Sequence, residues 1–243
     1  MRILDLFAGI GGFSLAGHWL GWETVAFVEW DDYCKKVLTK NFPGVPIYGD
    51  IKQYRGQEGT ADVICGGFPC QPFSQAGKRQ GQADDRYLWP EMLRVIQEVK
   101  PRWVVGENVA GLITMEDGRT LERILTDLED AGYRSEVFVI PACGVGAWHR
   151  RDRIWIVANT DNKGLERYND RTTSTIQTES TRTNIRTENI SNGGKYWSAE
   201  PDVGRVAHGV SSRVDRLKSL GNAIVPQIAF ELFKVIDKIE RDE

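Results

Sequence analysis

Cys70 is the residue whose setting first suggests reaction chemistry, in the stretch Gly66-Gly67-Phe68-Pro69-Cys70-Gln71-Pro72-Phe73-Ser74. The apolar run Asp62–Gly66 before it reads as a strand, so the thiol falls in a loop at a strand's carboxyl end. Open α/β sheets place ligand chemistry there. Prolines on both sides stiffen the loop and can present the thiol. An isolated cysteine is more often a small buried hydrophobe, and a free thiol of pKa ~8.5 is only slightly ionised at neutral pH. Nucleophilic work therefore requires positive neighbours, for which Arg151 and Arg153 are the candidates.

A second constellation suits a nucleoside. Asp5-Leu6-Phe7-Ala8-Gly9-Ile10-Gly11-Gly12-Phe13 is a strand entering a glycine-rich turn and then a helix, and glycines let a backbone approach a ligand closely. A ligand-free tight turn has the same pattern. Glu29 closes the second strand 18 positions after Gly11, where a carboxylate can accept hydrogen bonds from ribose hydroxyls. Trp30 beside it can stack on adenine or simply pack at an edge. Asp50-Ile51, after a short strand at Val45–Tyr48, can bracket the same adenine or serve as a turn and cap. The chain has no Walker lysine and no complete dinucleotide fingerprint. Adenosine without phosphate fits better than NAD or ATP.

Together these residues resemble the DNA (cytosine-5)-methyltransferases of bacterial and phage type. The Pro69-Cys70 loop is similar to the family's nucleophile loop, Asp5–Phe13 to its cofactor loop, and Glu107-Asn108-Val109 to its Glu-Asn-Val motif. Arg151-Asp152-Arg153 resembles its paired arginines and Gly221-Asn222-Ala223 its late Gly-Asn motif. Order and rough spacing agree from residue 2 to about 158 and again from about 214 to the end. The resemblance implies that Cys70 adds to carbon-6 of a flipped cytosine, making carbon-5 able to take a methyl group from S-adenosylmethionine. Glu107 is implied to hydrogen-bond or protonate ring nitrogen N3, Arg153 to hold the carbonyl oxygen, and Arg151 to contact a phosphate or brace the loop. For the cofactor it implies Phe7, Gly9, Ile10, Gly11 and Gly12 from the first loop, with Glu29, Trp30, Asp50 and Ile51. Pro69, Leu88 and Asn222 complete that set.

Two departures keep other readings open. His149 stands where the family usually has Gln. Only roughly 55 residues lie between Ile156 and Arg213, where the family usually inserts a long target-recognition domain. A branch resembling tRNA cytosine methyltransferases would use the same Cys70 and Glu107 on another substrate. A non-catalytic cofactor- or DNA-binding module is the remaining alternative, although it has no chemical need for Cys70, Glu107 and Arg153 together.

The elements that must position these groups alternate along the chain. Short runs rich in Val, Ile and Phe recur at Arg2–Ala8, Thr24–Glu29, Asp62–Gly66, Arg102–Glu107, Glu136–Ile140 and Ile154–Ala158. Helical patterns separate several of them, so the chain reads as α/β: a doubly wound, mostly parallel, Rossmann-like sheet with a small irregular second lobe. A helix is expected from about Pro90 to Val99 with Leu93, Ile96 and Val99 on one stripe. Another is expected over Thr120–Ala131, with Leu121, Ile124, Leu125 and Leu128 inward and Gly132 terminating it. Val214–Leu220 and Ala223–Ile239 recover an apolar pattern, the latter as a final helix carrying Ile224, Ile228, Phe230, Leu232, Val235 and Ile236.

Three regions result: a catalytic and cofactor-binding domain over 1–158, an insert over 159–213, and a segment 214–243 returning to the first domain. In Thr160–Glu200, 8 of 41 residues are Thr and only 8 are apolar, too few to build a core. Net charge is −3, but residues 148–218 carry 13 Lys+Arg against 9 Asp+Glu, so a polyanion would meet that part. Arg167, Arg171, Arg182 and Arg186 are expected to contact phosphates, and Tyr196, Trp197, Arg205, His208 and Arg213 to read bases of double-stranded DNA. Four scattered cysteines indicate neither a metal nor a disulfide framework. No apolar run long enough for a bilayer and no signal region are visible. A cytoplasmic monomer without metal is expected.

Overall fold

A computed structural model describes residues 1–70, 87–160 and 213–241 of the chain. Seven strands, β1 (Arg2–Leu6), β2 (Glu23–Val28), β3 (Ile47–Tyr48), β4 (Val63–Gly66), β5 (Trp103–Val109), β6 (Arg134–Pro141) and β7 (Asp152–Asn159), form one sheet. Their order is β3-β2-β1-β4-β5-β7-β6. Neighbours from β3 through β5 are parallel, while β7 runs antiparallel to both β5 and β6. The expectation of a mostly parallel sheet holds, with β7 as the departure. Its cause is local: the link 142–151 is too short for a parallel crossover, which needs about a dozen residues or more, so the chain turns back as a hairpin.

Successive side chains of a strand point to opposite faces, and the sequence uses both. Ile3, Val63, Trp103, Val105 and Trp155 face one way, against α1 (Gly12–Trp19) and the final helix. Leu4, Ile64, Val104 and Ile156 face the other, against α3 (Trp89–Val99) and α4 (Arg119–Asp130). Each Leu, Ile or Phe buried this way contributes about 1.5–3 kcal/mol relative to exposure, so both helix layers are fixed by the strands' own alternation. Among the described residues the remaining α-helices are α2 (Asp32–Asn41), α5 (Arg213–Asn222) and α6 (Pro226–Arg241).

Three expected helical faces shift. In α3 the buried stripe is Trp89, Met92, Val95, Ile96 and Val99, and Leu93 is only half-buried, because Trp89 at the first turn docks on α4 through Nε1 to Asp127 Oδ2 at 2.8 Å. The final helix starts at Pro226 and not at Ala223: proline lacks the N–H a helix interior requires and disfavours helical backbone before it. Val235 is on its outer side. Val214 (78% exposed) and Leu220 (64%) cover no core. Instead α5 attaches by polar contacts, Lys218 Nζ to Asp31 Oδ2 at 3.0 Å and Ser219 Oγ to Cys34 Sγ at 3.5 Å. Gly132 does end α4 with φ +88°, as expected.

Strand order reverses beside β1: the chain goes β1-β2-β3 outward on one side and β4-β5 on the other. A crevice between the loops after β1 and β4 follows, the usual ligand position of such sheets. Residues 161–212 of the insert, with all its proposed phosphate-contacting and base-reading residues except Arg213, lie outside the described residues, while Asn159 ends β7 and Arg213 opens α5. Among the described residues no helix is long and apolar enough to cross a membrane, and no cluster of three or more His, Cys, Asp or Glu can hold a metal ion.

Candidate active site

On one side of the crevice, the loop after β1 is shaped by backbone conformation. Phe7, Gly9 and Gly11 have φ of +52°, +56° and +86°. A Cβ at Gly11 would lie 2.7 Å from the Phe42 ring, and one at Gly12 would lie 2.5 Å from Ile224 Cγ1, so the turn is glycine for steric reasons at both places. Asp5, fully buried at the end of β1, accepts from Ser14 N (3.2 Å) and Ser14 Oγ (2.8 Å), which ties the start of α1 to the strand. Burial pushes its carboxyl up to about 7, and its Oδ1 has no partner.

Glu29, just past β2, joins two loops. Oε2 accepts from Gly9 N at 2.6 Å and Oε1 from Asp31 N at 2.7 Å. Burial raises its pKa against those two donors. Each oxygen keeps a second lone pair for a ligand hydroxyl. Asp31 in turn caps α2, accepting from Tyr33 N and Cys34 N. Trp30 stands 77% exposed beside Glu29, and Ile10 is half-buried in the glycine turn. Asp50 accepts from Lys52 N at 2.9 Å as a turn cap, and Ile51 is buried in the core. Asn222 is exposed at the end of α5.

On the other side, Glu107 and Asn108 are buried near the end of β5. Arg153 Nε lies 3.1 Å from Glu107 Oε1, both side chains being largely covered. Burial raises the Glu107 carboxyl to about 7 even though Arg153 and Arg151 oppose the shift. Asn108 Nδ2 donates to Phe68 O at 2.8 Å, which fastens the Pro-Cys loop to the strand carrying Glu107. A Cβ at Gly67 would lie 3.3 Å from Glu107 Oε2, so that loop passes directly over the carboxylate. Pro69 O accepts from Leu88 N at the head of α3.

Cys70 is 7% exposed, paired with Tyr87 in a short antiparallel bridge, and its Sγ lies 3.7 Å from Met115 Sδ. Burial, with Glu116 adding to it, pushes the thiol up to about 11. The expectation that Arg151 and Arg153 activate it is corrected here. Arg153 is committed to Glu107, and Arg151 Nη2 donates to the Gly221 and Ala223 carbonyls at 2.8 Å each. The charge that Cys70 feels is negative.

The fold thus gathers Phe7–Gly12, Glu29, Trp30 and Asn222 on one side of the crevice, and Cys70, Glu107, Arg153, Pro69 and Leu88 on the other. Residues not foreseen as site residues are Asp5, Asn108, Tyr87, Met115 and Glu116. Asp5 and Asn108 sit inside recognisable motifs. Met115 and Glu116 come close through a turn in which Glu116 and Asp117 have φ of +50° and +58°, and nothing in their local pattern announces it.

Comparison with known proteins gives the family and the fold. The family of C-5 cytosine-specific DNA methylases matches residues 1–201. The Type II methyltransferase M.HhaI of Haemophilus parahaemolyticus is 35% identical over 170 residues, covering 69% of this chain and 52% of that protein. M.HpaII of Haemophilus parainfluenzae is 39% identical over 171 residues, covering 68% and 48%. The chain therefore spans about half the length of the curated relatives it matches. Among solved structures, a putative DNA modification methyltransferase encoded within an E. coli prophage superposes with a TM-score of 0.57 at 24% identity, covering 68% of this chain and 48% of that one. Spodoptera frugiperda DNMT2 gives 0.55 at 25%, covering 66% and 50%.

Proposed function

The chain belongs to the C-5 cytosine-specific DNA methylase family, and from that premise we propose that it methylates carbon-5 of cytosine in double-stranded DNA using S-adenosylmethionine. The observation that carries this reading is the Asn108–Phe68 hydrogen bond at 2.8 Å, which holds the nucleophile loop and the Glu107 strand as one unit. The first-loop side suits the cofactor chemically. Its fixed groups are glycine backbone and carboxylates, Glu29 with Asp31 and Asp50, which accept hydroxyls and favour a cation, and Lys218 beside them is paired with Asp31. When bound, S-adenosylmethionine supplies an electrophilic methyl group.

The chain's own residues do the rest. A cytosine in a duplex hides its reacting carbon, so it must be flipped out at a cost of a few kcal/mol. Cys70 Sγ, as thiolate, forms a bond to carbon-6, and the carbon-5=carbon-6 electron pair moves into the ring. Glu107, with a carboxyl lifted to about 7, is protonated often enough at neutral pH to donate to N3 as that charge arrives. Arg153, already set against Glu107, holds the carbonyl oxygen. Carbon-5 would then take the methyl group as the donor's sulfur–methyl bond breaks to leave S-adenosylhomocysteine, a base removes the carbon-5 proton, and the bond between Cys70 Sγ and carbon-6 breaks to return Cys70. The base-reading lobe is proposed to be the segment 159–213.

Incubation with methyl-labelled cofactor and either duplex DNA or tRNA tests this reading. Label in DNA as 5-methylcytosine is expected; label only in tRNA, or in neither, contradicts it. Sequencing the methylome of a methylation-free bacterial host expressing the chain would report the target.

A further inference from the structure

Arg151 holds φ +37°, a left-handed conformation that a side-chain-bearing residue keeps only where its surroundings over-determine it. It is held by Ala142 N donating to its carbonyl at 3.3 Å and by the pair of hydrogen bonds from Nη2 to Gly221 O and Ala223 O, the two carbonyls flanking Asn222. These carbonyls lie at the carboxyl end of α5, where helix acceptors lack partners and a cation is favoured by the helix dipole. The last turn of α5 contains no basic residue of its own. The guanidinium of Arg151, from the link just before β7, supplies that charge.

The turn it holds is also gripped from the cofactor loops. Ile224 packs against Gly12 so closely that a Cβ there would overlap it, Lys218 pairs with Asp31, and Asp31 N donates to Glu29. Arg151 alone of these links reaches the base side. It lies near enough to Arg153 and Glu107 that, after burial, Arg153 lowers its pKa and Glu107 opposes that shift.

We propose that Arg151 is a positioning residue of the cofactor site, not a phosphate contact: it closes α5 and sets the turn that presents Asn222. This rests on the cofactor reading above, which places Asn222 against S-adenosylmethionine. With both N–H groups of Nη2 committed to the two carbonyls, that nitrogen is not available to a DNA phosphate while the turn is in place. Cofactor affinity and the Glu107–Arg153 pair are thereby linked through one side chain.

The test compares wild type, Arg151→Ala, Arg151→Lys, Asn222→Ala and the Arg151→Ala/Asn222→Ala double variant. Calorimetry with S-adenosylmethionine is expected to show about a tenfold loss for Arg151→Ala, a smaller loss for Arg151→Lys, and a double variant losing clearly less than the product of the singles. Binding to a random-sequence duplex should keep its salt slope. A slope reduced by about one with unchanged cofactor affinity would overturn the proposal in favour of a phosphate contact. Hydrogen exchange at the Ala223 amide, which donates to Ser219 O at 2.9 Å, gives a ligand-independent reading. Faster exchange in Arg151→Ala is expected, even if wild type binds no S-adenosylmethionine, in which case the cofactor reading fails and the brace stands. Unchanged exchange in Arg151→Ala, or in Arg151→Lys if the alanine variant does not fold, would overturn the brace itself.

Discussion

The proposed cofactor side of the crevice is built from backbone amides gathered onto a carboxylate, whereas the proposed base side is built from side chains whose charge is unsettled. Glu29 takes one N–H from each of two loops, and glycine conformation sets the turn between them. Across the crevice, Glu107 is lifted to about 7 and Cys70 to about 11, with Arg153 already paired. The difference teaches that the first side is organised before any ligand arrives. The second holds Cys70, the proposed nucleophile, as a thiol and needs a change of surroundings, such as the arrival of the base, to ionise it.

The sharpest way to break the comparison is to remove the thiol. Cys70→Ser is expected to lower methyl transfer by roughly 10³-fold or more while calorimetry finds cofactor affinity within a few-fold of wild type. Retained turnover, or loss of cofactor binding alongside, would mean the two sides are not separable. From the other direction, Glu29→Ala is expected to weaken S-adenosylmethionine binding by about one to two orders of magnitude, about 1.5–3 kcal/mol for a charged hydrogen-bond acceptor. Unchanged affinity would remove the cofactor side from its place.

A smaller effect sharpens the contrast through pH. Asp5 is buried with its pKa raised to about 7, so its folded form favours the proton, and the stability it contributes is lost as pH rises from the unfolded value near 3.8 through 7. Asp5→Asn does not titrate. Between pH 5 and 8 wild type should therefore lose about 2 kcal/mol relative to the variant, read as a melting difference that moves toward Asp5→Asn. A pH-independent difference would show that this buried carboxyl does not titrate there.

Much of this architecture is legible in the sequence because its signals are local. Gly11 and Gly12 mark a turn in which a side chain would collide with Phe42 or Ile224, and each strand announces itself by apolar runs bounded by loop residues. The antiparallel β7 was less visible, since apolar runs carry no direction; the short link 142–151 decides it. Exposed Val214 and Leu220 show the complementary failure, where an apolar pattern exists but polar contacts at Lys218 and Ser219 do the attaching. In the site, Cys70, Glu107 and Arg153 could be named from motif order. Arg151's commitment to the Gly221–Ala223 turn, and the approach of Met115 and Glu116 to the thiol, depend on contacts between segments far apart in the chain.

The central claim, that Cys70 becomes covalently joined to the base, is tested most directly with duplex DNA carrying 5-fluorocytosine in place of cytosine. With fluorine at carbon-5 there is no proton to lose after methyl transfer, so release of the sulfur is blocked. In the presence of S-adenosylmethionine the account predicts a complex that survives denaturant, with peptide mapping placing the linkage on Cys70. A linkage on Cys34, Cys65 or Cys143, or no denaturant-stable complex from protein that methylates ordinary DNA, would contradict it.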